Sequence, residues 1–100
     1  MNLSEALKLV IPDMKKADNA TPIGGWQNND YIAIAPGKDG TRLLNSSSYI
    51  IDRKAGKYLG KCHDVFGKIT TPDGKELTYD FSTTKPISED DIKKAIKFTI

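Results

Sequence analysis

The triplet Cys62-His63-Asp64 places a thiol, an imidazole and a carboxylate side by side. These groups can act as nucleophile and base, or as metal ligands. We predict that the triplet lies on a β-strand, where Cys62 and His63 point to opposite faces and cannot act together. The chain has one Cys and one His, and a zinc site needs at least three protein ligands. The sequence therefore predicts no catalytic residue and no metal site, but a half-buried thiol beside a surface imidazole.

Motifs for phosphate or calcium binding are incomplete. Gly67-Lys68 resembles the end of a phosphate loop, but Ile69 stands where Ser or Thr would bind magnesium. The segment 73–76 is too short for a calcium loop. The acidic run 89–91 is accounted for by the start of a helix, whose positive end it complements. No cofactor is expected.

Basic residues cluster at one predicted hairpin tip, at Arg53, Lys54 and Lys57, with Lys61 beyond. Such a cluster could contact phosphates or an acidic protein. It lacks interleaved aromatic residues, and the net charge of the chain is only +2. We therefore interpret it as a solvated hairpin end and do not expect nucleic acid as a partner.

A small-molecule site near Trp26, Tyr31, Tyr49 and His63 is an alternative hypothesis, which requires these side chains to converge in a cleft. Trp26 is the only tryptophan. It either covers one end of the core or stacks on a ligand.

The element that organises the chain is a hairpin. Tyr49–Ile51 predicts one strand, 52–56 a turn, and Lys57–Cys62 the returning strand. Before it, Tyr31–Ala35 predicts a strand ended by Pro36-Gly37, and Thr41–Leu44 a short strand or a segment flat on the core. The polar stretches 18–30 and 45–48 are interpreted as a connection and a loop.

A second hairpin is predicted after Cys62. Its arms are Val65–Thr71 and Glu76–Phe81, and the turn between them contains Pro72 and Gly74. In the second arm, apolar and polar residues alternate, which indicates one face on the core and one in water.

Two helices are predicted. Residues 2–18 carry an apolar stripe at helical spacing, and Asn2 with Glu5 forms a capping box. Pro12 leaves two alternatives open: a kinked helix, or a helix that stops near Val10 followed by a new turn. Residues 88–98 predict the second helix, capped by Ser88, with an inward face listed as Ile92, Ala95, Ile96 and Thr99.

The fold predicted is a single α+β domain spanning residues 1–100. An antiparallel meander of four to six strands carries the N-terminal and C-terminal helices on one face. A single cysteine allows no internal disulfide, and the sequence carries neither a secretion signal nor an apolar run of membrane-spanning length. We expect a cytoplasmic location and no membrane.

The hairpin Tyr49–Lys57 resembles a pattern of small bacterial families: an apolar pair, Asp, two polar residues, a small residue, Gly and a charged residue. Small bacterial immunity proteins and their chaperone-type relatives carry a similar hairpin after an N-terminal helix and a tryptophan-bearing strand, as Leu3–Val10 and Trp26 suggest here. PepSY-type domains carry a similar hairpin as well. The immunity resemblance implies a toxin-neutralising protein without catalysis of its own.

The function predicted is a bacterial, non-enzymatic module that binds another protein, as an immunity or phage-type accessory factor. This hypothesis predicts an exposed apolar or aromatic patch. The residues proposed for the binding surface are Trp26, Tyr31, Tyr49, Arg53, Lys54, Lys57 and His63.

Overall fold

A computed structural model describes residues 1–43 and 46–97. Helices begin and end this part of the chain, and short strands fill its middle. The elements are α1 (Leu3–Asp18), β1 (Thr21–Gln27), β2 (Tyr31–Lys38), β3 (Thr41–Arg42), β4 (Ser47–Asp52), β5 (Lys57–Val65), β6 (Lys68–Thr70), β7 (Glu76–Thr78), a 3-10 turn (Phe81–Thr83), β8 (Lys85–Ile87) and α2 (Glu89–Ile96).

The strands form one antiparallel sheet, in the order β7-β6-β5-β4-β2-β1-β8, with β3 paired to the end of β2. The predicted α+β class and antiparallel sheet are confirmed. The described residues form eight strands, however, rather than four to six. The extra strands are two or three residues long, too short to show a period-2 pattern in the sequence. The chain also departs from a simple meander, because β8 pairs with β1 at the edge opposite β7.

The strand β1 lies inside the stretch 18–30 that was predicted to be a connection, so that prediction is wrong. Its Gly24-Gly25 pair has low strand propensity. The pairing explains the choice of glycine, because a Cβ built on Gly25 would lie 1.8 Å from the carbonyl oxygen of Ala33 on β2. The strand β2 also continues past its predicted end, with Pro36 opposite Pro22. The two residues without an N–H group therefore face each other.

The predicted arm Val65–Thr71 is two strands. Val65 ends β5, the chain turns at Phe66-Gly67, and β6 begins at Lys68. Gly67 takes the positive φ of 81° that such a turn requires. The partner arm ends at Thr78, so Phe81 lies in the 3-10 turn and not on a strand.

The loop predicted at 45–48 needs a similar correction, because β4 already begins at Ser47. Residues 44 and 45 lie outside the described part of the chain. Of the segment Thr41–Leu44, the strand alternative holds for Thr41–Arg42.

Both predicted helices are present, each with its capping box. Pro12 lies inside α1, so residues 12–18 continue the first helix. Its ring is exposed, on the side of the helix away from the sheet. The predicted end of the second helix at residue 98, and the inward placement of Thr99, fall outside the described residues.

Two apolar clusters lie on opposite faces of the sheet. Both helices pack on the first face, as predicted, with Leu7, Ile34, Tyr49 and Ile92 among the buried residues. The second cluster is smaller and is built from the sheet itself. Its buried members are Ala33, Ile50, Cys62 and Ile69, and its partly buried neighbours are Trp26, Tyr31, Leu59, Leu77 and Tyr79.

Candidate functional site

The side chain of Asp64 joins the two ends of the sheet. Its Oδ2 accepts a hydrogen bond of 2.8 Å from the indole Nε1 of Trp26, and its Oδ1 accepts one of 2.8 Å from the hydroxyl of Tyr79. The rings of Trp26 and Tyr79 are stacked, with centroids 4.5 Å apart. Because β1 and β7 lie near opposite ends of the strand order, this contact requires the sheet to curl over its second face.

The environment of Tyr79 keeps its hydroxyl protonated. Burial, followed by the hydrogen bond to Asp64 and the charge of that carboxylate, raises the pKa of Tyr79 to about 12. Tyr31 contacts the same ring edge-on, at 6.4 Å between centroids. The polar groups of this cluster are therefore used in holding the rings together.

Two phenylalanines extend the cluster to the surface. Phe66 is 85% exposed at its turn, and Phe81 is 51% exposed. Their rings meet edge to face, with centroids 4.9 Å apart. We call the side chains of Trp26, Phe66, Tyr79 and Phe81 the aromatic surface.

Two shallow hollows share Trp26 and Phe81. One, of about 300 Å³, also contacts Phe66 and Tyr79. The other, of about 500 Å³, is bounded in addition by Pro86. The aromatic surface can therefore receive apolar groups on both sides of Phe81.

The thiol of Cys62 is buried in the second cluster, and the adjacent His63 is exposed. The predicted separation of the two side chains is confirmed. Burial, with the nearby charges of Asp64 and Asp73, raises the pKa of Cys62 to about 11, which opposes thiolate formation at neutral pH. Among residues 1–43 and 46–97, no group of three or more His, Cys, Asp or Glu is placed to hold a metal ion.

The basic hairpin is largely bound within the molecule. The guanidinium of Arg53 donates to Gln27 Oε1 and to the carbonyl of Asn28. Lys54 pairs with Asp30 at 3.2 Å. Carboxylates and amides of β1 and its turn thus occupy donors that would otherwise face a phosphate backbone.

Lys61 is also paired, with Asp18 at 2.9 Å. Lys57, at the start of β5, is exposed. The structure therefore offers a mixed surface around the hairpin, with Asp30 and Asp18 among the lysines.

The structure separates the residues of the predicted small-molecule site. Tyr49 is fully buried on the helix face, where its hydroxyl donates to Asp18 at 2.6 Å. Trp26 and Tyr31 pack on the opposite face, and His63 is exposed on β5. Of the predicted surface residues, only Trp26 and Tyr31 are brought together, through Tyr79.

The sequence-based prediction missed Phe66, Phe81 and Asp64. Phe66 carried a signal, because the Gly67 that follows it marks a turn, and a large apolar residue at a turn tip has no core to enter. Phe81 and Asp64 carried no comparable signal, since their roles depend on contacts across the curled sheet.

Fold and site define a small α+β domain with an aromatic surface on its curled antiparallel sheet. Family models, curated proteins and solved structures yield no match to this chain. Within residues 1–43 and 46–97, neither helix has the length and apolar character needed to cross a membrane.

Proposed function

We propose that this protein is a non-enzymatic module that binds another protein through the aromatic surface. The observation that carries the proposal is the Phe66–Phe81 pair. Two large apolar rings face water next to a fully hydrogen-bonded Trp–Asp–Tyr cluster. Contiguous exposed apolar groups of this kind are typical of interaction sites.

The energetics of interfaces support this reading. Aromatic side chains dominate binding energy at protein interfaces because they bury a large apolar area and have few rotatable bonds. The stack on Tyr79 and the bond to Asp64 fix Trp26 before any partner arrives. Preorganisation of this kind lowers the entropic cost of association.

The biological setting is proposed from the sequence. The resemblance of Tyr49–Lys57 to small bacterial immunity proteins suggests that the partner is a toxin, neutralised by direct binding in the cytoplasm. Phe66 and Phe81 would then be the contacts that anchor the toxin. This proposal requires no chemistry from Cys62 or His63.

The test compares two serine substitutions. Phe66→Ser removes an anchor from the aromatic surface, whereas Leu9→Ser removes a 43%-exposed apolar residue from the outer side of α1. Complexes are isolated from the source cell, identified by mass spectrometry and reconstituted from purified components. We expect wild type and Leu9→Ser to bind one partner equally, and Phe66→Ser to bind it at least about tenfold more weakly.

Thermal melting followed by Trp26 fluorescence serves as the folding control for each variant. A partner that binds Phe66→Ser as tightly as wild type would contradict the assignment to the aromatic surface. A wild-type protein that yields no stoichiometric protein complex would contradict the function itself.

A further inference from the structure

A groove on the helix side of the molecule is separate from the aromatic surface. It lies between the two helices and the start of β1, and its volume is about 540 Å³, which is in the range of small-ligand sites. Aliphatic residues form most of its walls: Ile11, Pro22, Ile23, Ile92 and Ile96. No aromatic ring lines it within the described residues. A saturated chain therefore fits these walls better than a flat ring does.

Lys93 lines the same groove and supplies a positive charge at its mouth. Its Nζ lies 3.4 Å from the carboxylate of Glu89, one helical turn earlier, and the two side chains are 68% and 48% exposed. An exposed pair of this kind is weak. An ammonium group has three donors, so Lys93 can accept a second carboxylate while it keeps Glu89.

Glu89 does not depend on Lys93 for its stability. It occupies the first turn of α2, where the helix dipole favours negative charge. The charge available to a ligand at this mouth is therefore the ammonium. An incoming anion would be favoured and an incoming cation would not.

We propose that the groove binds a medium-chain aliphatic carboxylate. The chain lies among Ile11, Ile23, Ile92 and Ile96, and the carboxylate contacts Nζ of Lys93. Complementarity of both shape and charge supports this ligand class. The inference is independent of the proposed function, since the groove adjoins the first apolar cluster and the aromatic surface lies on the other face of the sheet.

The first experiment is an NMR titration of the wild-type protein with decanoate, decanamide and decylammonium. These probes share a chain and differ in head-group charge. We expect saturable shifts at the methyl groups of Ile23 and Ile92, and decanoate affinity at least about threefold above that of decanamide. The proposal is overturned by the absence of saturable binding, by decylammonium binding as tightly as decanoate, or by shifts centred on Phe66 and Phe81.

Variants separate the charge from the cavity. Lys93→Gln removes the ammonium, and Lys94→Gln is the matched control, one residue further along α2 and outside the groove lining. We expect decanoate to bind Lys93→Gln only as tightly as decanamide does, and to bind Lys94→Gln as it binds wild type. Equal losses in the two variants would overturn the assignment of Lys93.

Filling the cavity gives an independent arm. Thr21 is exposed at the rim of the groove, so Thr21→Trp places an indole over the aliphatic walls without entering the core. We expect it to abolish binding of both decanoate and decanamide. Retained binding would show that the ligand lies elsewhere. The comparison of Lys93→Gln with Lys94→Gln still decides the proposal if Thr21→Trp does not fold.

Discussion

The indole of Trp26 is stacked on the phenol ring of Tyr79, with the ring planes inclined by 25°. The two residues belong to opposite ends of the sheet. Their polar atoms donate to the two oxygens of one carboxylate, that of Asp64. This three-residue cluster holds the curl of the sheet, and on it depends the position of Phe81, which lies two residues after Tyr79.

Asp64→Asn should destabilise the protein by about 2 kcal/mol, because an amide presents its NH₂ group to one of the two donors and leaves that donor unsatisfied. The measurement is urea unfolding followed by Trp26 fluorescence. Asp39→Asn, in the exposed turn after β2, is the control and should unfold like wild type. Equal stability of Asp64→Asn and wild type would show that the cluster does not hold the sheet.

Gly25→Ala should cost at least about 3 kcal/mol, because its Cβ would collide with the backbone oxygen of Ala33, which cannot move without breaking the β1–β2 pairing. Gly74→Ala is the matched control. Gly74 also has a positive φ, but its Cβ would meet no atom within 4 Å, so only the backbone strain of about 1–2 kcal/mol remains. Similar losses in chemical denaturation of the two variants would contradict the close approach.

Asp18 should make stability depend on acid pH. Burial raises the pKa of its carboxyl, but hydrogen bonds from Lys61 and Tyr49 and the charge of Lys61 outweigh burial and hold that pKa below the usual 3.8. The unfolded chain therefore takes up the proton first. The stabilisation is present above about pH 4 and is lost as the pH falls through the folded-state pKa.

Asp18→Asn tests this dependence. The unfolding free energies of wild type and Asp18→Asn should converge between about pH 6 and about pH 3, as measured by urea unfolding. Asp39→Asn should keep the wild-type pH profile. A gap between wild type and Asp18→Asn that stays constant over this range would refute the linkage.

The tyrosines should make stability depend on alkaline pH. The chain has four, and burial raises the pKa of each above 10, with neighbouring carboxylates adding to the effect. Because the unfolded chain ionises first, stability should fall as the pH rises from about 10 towards 12. Phenolate absorbance should show no ionisation near pH 10 in the folded protein, and normal ionisation in denaturant. A tyrosine that titrates near pH 10 in the folded state would contradict this.

Cys62 should react slowly with thiol reagents. A pKa of about 11 in place of 9.0 lowers the thiolate fraction about 100-fold near neutral pH, and burial slows access further. The double variant Cys62→Ala/His63→Cys moves the thiol by one position, to the exposed side of β5, and should react as fast as the denatured protein. Rates that are equal for Cys62 and for the moved thiol would show that the second cluster does not bury this residue.

Local signals predicted the capped helices and the central hairpin. The cap Ser88 lies three residues from its partner Asp91, and the turn 52–56 joins strands that are adjacent in the chain. Gly25 shows the limit of such signals. In the sequence it indicates a loop, while its role depends on Ala33, a residue of the neighbouring strand that no local pattern connects to it.

The sequence by itself determined the elements stabilised within a few residues: α1 and α2 with their caps, the turn at Gly56, and the opposite facing of Cys62 and His63. Tertiary structure alone decided which residues meet across the curled sheet. It placed Trp26 on Tyr79 with Asp64 between them, and left Phe66 and Phe81 facing water. The reason is that caps and turns depend on backbone groups close in the chain, whereas the exposure of a ring depends on how distant strands close over it.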